Sequence, residues 1–193
     1  MKKIGITGGI GSGKSLVCSI LACFGFPVFY SDIEAKILLE SNQKIKEELI
    51  LIFGNEIYSS GSLDKLRLSK ILFSDNKLLL KVNSIVHPQV RLKFDEWAKN
   101  QNSRFVFNES AILFETGGYT KFDATILVIA PLHLKIKRII SRDSLSENQV
   151  FKRMNNQWTD EEKIKFATYV VNNDEKEGVL QQVEDILKLL DKK

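Results

Sequence analysis

Apolar residues in this chain recur with two different periods. Short continuous runs appear at Lys3-Ile4-Gly5-Ile6-Thr7, Pro27-Val28-Phe29-Tyr30, Arg104-Phe105-Val106-Phe107, Phe122 to Ile129 and Thr168 to Val171. Runs of this kind predict strands, and the longest, from Phe122, predicts a central strand buried on both faces. Five strands are expected near 3–7, 27–30, 104–108, 122–129 and 168–172. Between them the spacing changes to three and four, the period of an amphipathic helix. Val17, Ile20, Leu21 and Phe24 mark the first such stripe. Ile33, Ile37 and Leu38 open another, which Ile45, Leu49, Ile52 and Phe53 resume after a break near Ser41-Asn42. Gly54 and Ser59-Ser60-Gly61 punctuate a turn, and Leu63, Leu66, Ile71, Leu72 and Phe73 give the next helix. Leu79, Val82, Val86, Val90 and Trp97 form a longer stripe that His87-Pro88 bends or restarts. No convincing strand interrupts the stretch from Asp32 to Lys99.

The carboxyl-terminal half carries clear helix boundaries. Pro131 is expected in the first turn of a helix with Leu132, Ile136, Ile139 and Ile140 inward. Ser146-x-x-Gln149 and Thr159-x-x-Glu162 have the form of capping boxes. Val179, Val183, Ile186, Leu187 and Leu190 make a closing helix. Strands separated by helices predict an α/β fold: a five-stranded, mostly parallel sheet covered on both faces, a three-layer α/β/α arrangement. The helical stretch at 32–99 is an insertion after the second strand. Ligand sites in such sheets lie at the carboxyl ends of the strands, so this insertion is placed to hold a second substrate.

The chemistry concentrates in Gly8 to Ser15, GGIGSGKS. It fits G-x-x-x-x-G-K-[ST] and stands between a strand and a helix, the context that makes this pattern a phosphate site. Its glycines let the backbone come close to a ligand, and the helix that follows adds the positive end of its dipole. Gly9, Gly11, Ser12, Gly13, Lys14, Ser15 and Leu16 are the expected contacts to ATP. Lys14 supplies a point charge for the β- and γ-phosphates, and Ser15 a hydroxyl for Mg²⁺. The expected fold is therefore a P-loop NTPase.

Composition narrows the rest. The chain has 193 residues, 44% hydrophobic and 27% charged, the balance of a folded globular domain. No apolar run reaches the ~18 residues that would span a bilayer, and the amino terminus lacks the build of a signal peptide. A cytoplasmic protein without membrane partners is expected. Cys18 and Cys23 stand five residues apart on one helix, about 7.5 Å of rise, beyond ordinary disulfide reach. The net charge of +4 suits a polyanionic small molecule, and the absence of basic runs argues against nucleic acid.

Taken in order, these segments resemble the dephospho-CoA kinase family over nearly the whole chain. The resemblance rests on IGITGGIGSGKS at 4–15, VFYSDIEAK at 28–36, GSLDKLRL at 61–68 with ILFSD at 71–75, and NSIVHPQV at 83–90. ESAILFETG at 109–117, RIISRDSLSENQVFKRMNNQ at 138–157 and YVVNND at 169–174 complete it. It implies ATP-dependent phosphorylation of the 3′-hydroxyl of dephospho-CoA, giving CoA and ADP. It also implies a division into a nucleotide-binding core at 1–31, 100–137 and 164–193, a dephospho-CoA-binding helical insertion at 32–99 and a lid at 138–163.

Residue by residue, Asp32 is either the cap of a helix or a carboxylate at a strand end able to accept a hydroxyl proton. The family match makes it the base, with Lys14 and Arg142 the other catalytic groups. Lys65, His87 and Arg91 fall in segments that the resemblance assigns to the acceptor, although His87-Pro88 on its own reads first as a helix break around a packed imidazole. Arg138 and Arg142 share a helix face at i, i+4, with Arg142 as lid charge and Arg138 as nucleotide contact. Asn172 takes the place of an adenine contact, and Glu109 reads equally as an acid that orders Mg²⁺ waters or as an exposed loop acid. The chain departs from the family pattern at Tyr30, Lys65, Ala111 and Lys135. The alternative is another P-loop kinase such as a nucleoside monophosphate kinase. A GTP switch would carry D-x-x-G and N-K-x-D, which this chain lacks. A monomer or small homo-oligomer is expected.

Overall fold

The structure, a computed structural model, describes residues 1–59 and 61–192. By internal contacts the chain divides into two compact units: Met1–Tyr30 with Gln101–Lys193, and Ser31–Asn100.

The first unit begins with β1 (Lys2–Thr7), the phosphate loop, α1 (Lys14–Cys23) and β2 (Val28–Tyr30). The second contains α2 (Ser31–Ser41), α3 (Gln43–Phe53), the strand pair β3 (Tyr58–Ser59) and β4 (Ser62–Leu63), α4 (Lys65–Ser74) and α5 (Asn76–Lys99). The chain then returns to the first unit with β5 (Phe105–Glu109), β6 (Ala124–Ile129), α6 (Leu132–Asp143), α7 (Glu147–Met154), α8 (Asp160–Lys163), β7 (Tyr169–Asn172) and α9 (Val179–Lys192).

The sheet has the order β2-β5-β1-β6-β7, and every pairing in it is parallel. The chain leaves β1 toward one edge and later crosses to the other, so β1 lies at the switch point where such sheets bind ligands. Register brings Ile6 beside Glu109 and Ile129 beside Asn172. One face is sealed by α1 and α9, whose Val17, Cys18, Leu21, Val183, Ile186, Leu187 and Leu190 pack on Ile4, Ile6, Phe105, Phe107, Ile126 and Val128. Toward the other face, a Cβ on Gly5 would stand 2.5 Å from Leu113 and 3.3 Å from the Phe122 ring.

Several stripes differ in detail from the sequence pattern. Helix α1 ends at Cys23, so Phe24 is exposed and Phe26 takes its place in the core, edge-on to Phe107 at 5.7 Å. In α6 the inward residues are Leu134, Lys135 and Ile139, and Leu132 is exposed, because Pro131 is the cap rather than the first helical residue. Both capping boxes are present. The two cysteines are free thiols; burial and the nearby Glu109 charge push Cys18 up to about 12.

In the second unit Ile33, Ile37 and Leu66 are exposed, while Leu38 and Leu68 are buried. The break at Ser41-Asn42 is real: Asn42 caps α3 by accepting from the Ile45 N–H at 3.1 Å. The expected turn joins a short hairpin that the helical texture hid; Ser60 lies outside the described residues. The hairpin is tied to α2 twice. Tyr58 donates to the Leu39 carbonyl at 2.7 Å, and the Leu63 N–H donates to Glu40 at 3.1 Å. Pro88 does not restart a helix. Helix α5 runs through it, capped by Asp75 and held by buried Val82, Val86, Val90 and Phe94. The lost hydrogen bond of a mid-helix proline, of order 3 kcal/mol, is offset by that packing.

Candidate active site

The site begins where β1 ends. After Thr7 the loop turns through Gly8 to Gly13, with φ of 80° at Gly11 and 98° at Gly13, values that favour glycine. At Gly13 a Cβ would also collide with the Asn173 amide, so the loop is packed too tightly there for any side chain. The Lys14 ammonium donates to the Gly8 carbonyl at 2.9 Å and stands 3.9 Å from Glu109. Leu16 and Val17 bond back to the Gly13 carbonyl, so α1 starts directly from the loop. Ser15 stands in its first turn. The Ser12 hydroxyl is buried in this loop without a protein hydrogen bond. A tight loop with an unpartnered hydroxyl and a lysine at its base fits a polyphosphate.

Around the loop the structure gathers further residues, several of which the pattern did not single out. The Ile10 N–H donates to the Gln157 side chain at 2.8 Å, and Gln157 Nε2 donates to the Ala111 carbonyl at 3.3 Å. Lys135, 7% exposed, pairs with Asp160 at 2.5 Å beside Gly9. Lys163 is fully buried and pairs with Glu115 at 2.9 Å, while the Trp158 N–H donates to the same carboxylate. Asn173 Nδ2 donates to the Ser12 carbonyl at 2.8 Å. Glu109 is a buried strand residue rather than a loop acid. Burial raises the Tyr30 phenol, with Cys18 and Glu109 adding to the effect.

Of the expected nucleotide residues, Arg138 is at the loop: it donates to the Gly11 carbonyl at 3.4 Å, the Asn173 carbonyl at 3.1 Å and Glu175 at 3.1 Å. Asn172 is turned elsewhere. Its backbone exchanges two hydrogen bonds with Gln182, and its side chain donates to Asp174 at 3.1 Å. Arg142 lies exposed in the last turn of α6. It pairs with Asp143 at 2.7 Å, and Arg153 reaches the same carboxylate at 3.0 Å. The Arg142 contact, above all, holds Asp143 below the usual carboxylate range.

The second unit brings Asp32, His87 and Arg91 together. Asp32 lies exposed in the first turn of α2, where the helix dipole favours a carboxylate. His87 is held below the usual imidazole value by burial and by the Arg91 charge, and Asp32 opposes that shift. Lys65 is not part of this group. It pairs with Glu40 at 3.0 Å, and Glu40 is about 12 Å along the α2 axis from Asp32.

A nucleotide loop of this build, on the central strand of a parallel sheet, makes the chain a P-loop kinase. The dephospho-CoA kinase family model matches residues 2–178. A dephospho-CoA kinase of Bacteroides fragilis is 38% identical over 189 residues, 97% of this chain and 92% of its own. A crystal structure of a Thermus thermophilus protein superposes with a TM-score of 0.84 at 38% identity, covering 98% of this chain and 95% of that one. A dephospho-CoA kinase from Campylobacter jejuni gives 0.70 at 26% identity, covering 98% and 97%. The chain belongs to the dephospho-CoA kinase family. It is a kinase that uses ATP to phosphorylate the 3′-hydroxyl of dephospho-CoA, giving CoA and ADP, the last step of coenzyme A biosynthesis; a nucleoside monophosphate kinase is not favoured. Among the described residues, no helix is long and apolar enough to cross a membrane.

Proposed function

We propose that Asp32 is the base of this reaction and that the 32–99 insertion binds dephospho-CoA. The observation that supports it is the grouping of Asp32 with His87 and Arg91 in the second unit. A carboxylate beside an imidazole and a guanidinium suits an acceptor that brings both a hydroxyl and phosphate charge. Asp32 takes the proton of the 3′-hydroxyl as the hydroxyl oxygen bonds to the γ-phosphorus and the bond from that phosphorus to the bridging oxygen breaks, releasing ADP. Arg91 and His87 orient the acceptor, and Lys65 contributes a more distant positive charge. Lys14 holds the β- and γ-phosphate oxygens. Arg138 stands beside the nucleotide. In the lid, 138–163, Arg142 exchanges Asp143 for the charge that develops during transfer.

Ser15 would hold Mg²⁺. Among the described residues no group of three or more His, Cys, Asp and Glu could hold a metal ion alone. That donor set fits a Mg²⁺ held by one hydroxyl, phosphate oxygens and water. When bound, the ion supplies charge neutralisation between the β- and γ-phosphates. The remaining core, 1–31, 100–137 and 164–193, binds the nucleotide. We place the protein in the cytoplasm as a monomer or small homo-oligomer.

The test is Asp32→Asn. It should lower kcat about 100-fold or more while leaving the affinity for ATP unchanged. A variant that retains kcat within about threefold removes Asp32 as the base.

A further inference from the structure

We infer that Asn173 is a positioning residue for ATP, setting from outside the phosphate loop the direction in which the Gly13 N–H points. The inference rests on Gly8–Ser15 being the cradle for the phosphates. Its starting point is the sheet. Strand β7 ends at Asn172, but the Asn173 N–H still donates to the Ile129 carbonyl at 2.9 Å. The parallel ladder thus runs one residue further and delivers the Asn173 side chain to the loop. There the residue is 7% exposed, and its Nδ2 donates to the Ser12 carbonyl at 2.8 Å.

The Ser12 carbonyl and the Gly13 N–H belong to the same peptide unit. In a planar trans unit the two point in opposite directions. Fixing the carbonyl on Asn173 therefore turns the Gly13 N–H away from Asn173. A flipped unit would set a carbonyl oxygen where this N–H points. It would also leave the Asn173 amide donor buried against another donor, which is costly.

The amide itself cannot turn over without loss. Arg138 donates to Asn173 Oδ1 at 3.4 Å and to its carbonyl at 3.1 Å. That leaves the NH₂ group for Ser12, and only this orientation satisfies both neighbours. Glu175 accepts from the same Arg138 Nη2 at 3.1 Å and helps to hold it there. The glycine at 13 follows from the same contact, because a Cβ there would strike Asn173 Nδ2. The second residue of Asn172-Asn173, outside the glycine-rich motif, thus fixes the polarity of one of its peptides.

The experiment compares the parent enzyme with Asn173→Ala and Asn173→Asp. Each substrate is varied in turn in steady-state kinetics, and melting is followed with and without ATP·Mg. Asn173→Asp keeps the side-chain size and the Arg138 contact, so it reports on the loop even if the alanine variant folds poorly. We expect the KM for ATP to rise about tenfold, the KM for dephospho-CoA to stay within about twofold, and the ATP-induced rise in melting temperature to shrink. Ligand-free melting of Asn173→Asp should move by no more than about 4 °C. An ATP KM within about twofold of the parent for Asn173→Asp overturns the inference, as does an equal rise in both KM values. A parent protein that shows no ATP binding would instead overturn the reading of the loop as a nucleotide cradle.

Discussion

The two units hold their functional groups by different means. In the first, the groups are backbone amides and buried side chains: Asn173 is 7% exposed and Lys163 wholly buried, each tied to a defined partner. In the second, the proposed acceptor groups stand mostly on helix surfaces: Asp32 is exposed in the first turn of α2 and the Lys65 side chain is 68% exposed, while His87 is half-buried. A phosphate cradle must aim peptide dipoles to within a fraction of an ångström, which buried contacts can do. An acceptor site that meets charge on charge works through longer side chains and tolerates more variation. Substitutions in the first unit should therefore alter stability and ATP together. Those in the second should leave the affinity for ATP unchanged.

The largest effect expected from this contrast is at Lys163. Replacing it by alanine leaves the Glu115 carboxylate buried without its cation. Loss of one partner of such a pair costs about 3–5 kcal/mol, which denaturant unfolding measures directly. A loss below about 1 kcal/mol would show that the first unit does not depend on its buried pairs. A smaller and more selective effect is expected at His87. His87→Gln should raise the KM for dephospho-CoA about tenfold and leave the KM for ATP unchanged. It should also alter the dependence of stability on pH. The folded imidazole binds its proton less readily than the unfolded one, whose ordinary value is 6.5. The parent therefore has its full stability above that pH and loses part of it as the pH falls through the depressed folded value. The variant lacks that part of the acid limb. Equal acid limbs in the two proteins would remove the burial argument. The smallest effect is at Lys65, whose pair with Glu40 is exposed and screened. Lys65→Ala should shift melting by less than about 2 °C and the KM for dephospho-CoA by about twofold. A rise as large as that of His87→Gln would place Lys65 beside the acceptor.

The phosphate loop was legible in the sequence because its chemistry is backbone chemistry, and the glycines that permit it are bound to fixed spacing. The five strands were legible because parallel strands covered on both faces are apolar without interruption. Asn173 was hidden by parity. Neighbouring strand residues point to opposite faces, so choosing Asn172 over Asn173 by one position exchanges a residue on Gln182 for one on the loop. The hairpin at 58–63 was hidden because two-residue strands carry no period. Of the stripe Ile33, Ile37 and Leu38 only Leu38 is buried, and in the next helix Leu68 rather than Leu66, since short helices bury only part of a broad apolar stripe. Lys135 reads as surface charge until Asp160, twenty-five residues later, is seen beside it. Such long-range pairs have no local signature.

One carboxylate at the end of α6 serves two guanidiniums, since Asp143 bonds both Arg142 and Arg153. Three charges of that kind sum to one positive charge, so the trio is never neutral while all three are ionised. An approaching polyanion meets a standing attraction there before any contact is exchanged. That attraction reaches only about 8 Å at physiological salt, and added electrolyte should therefore slow the capture of nucleotide before it weakens the hold on it.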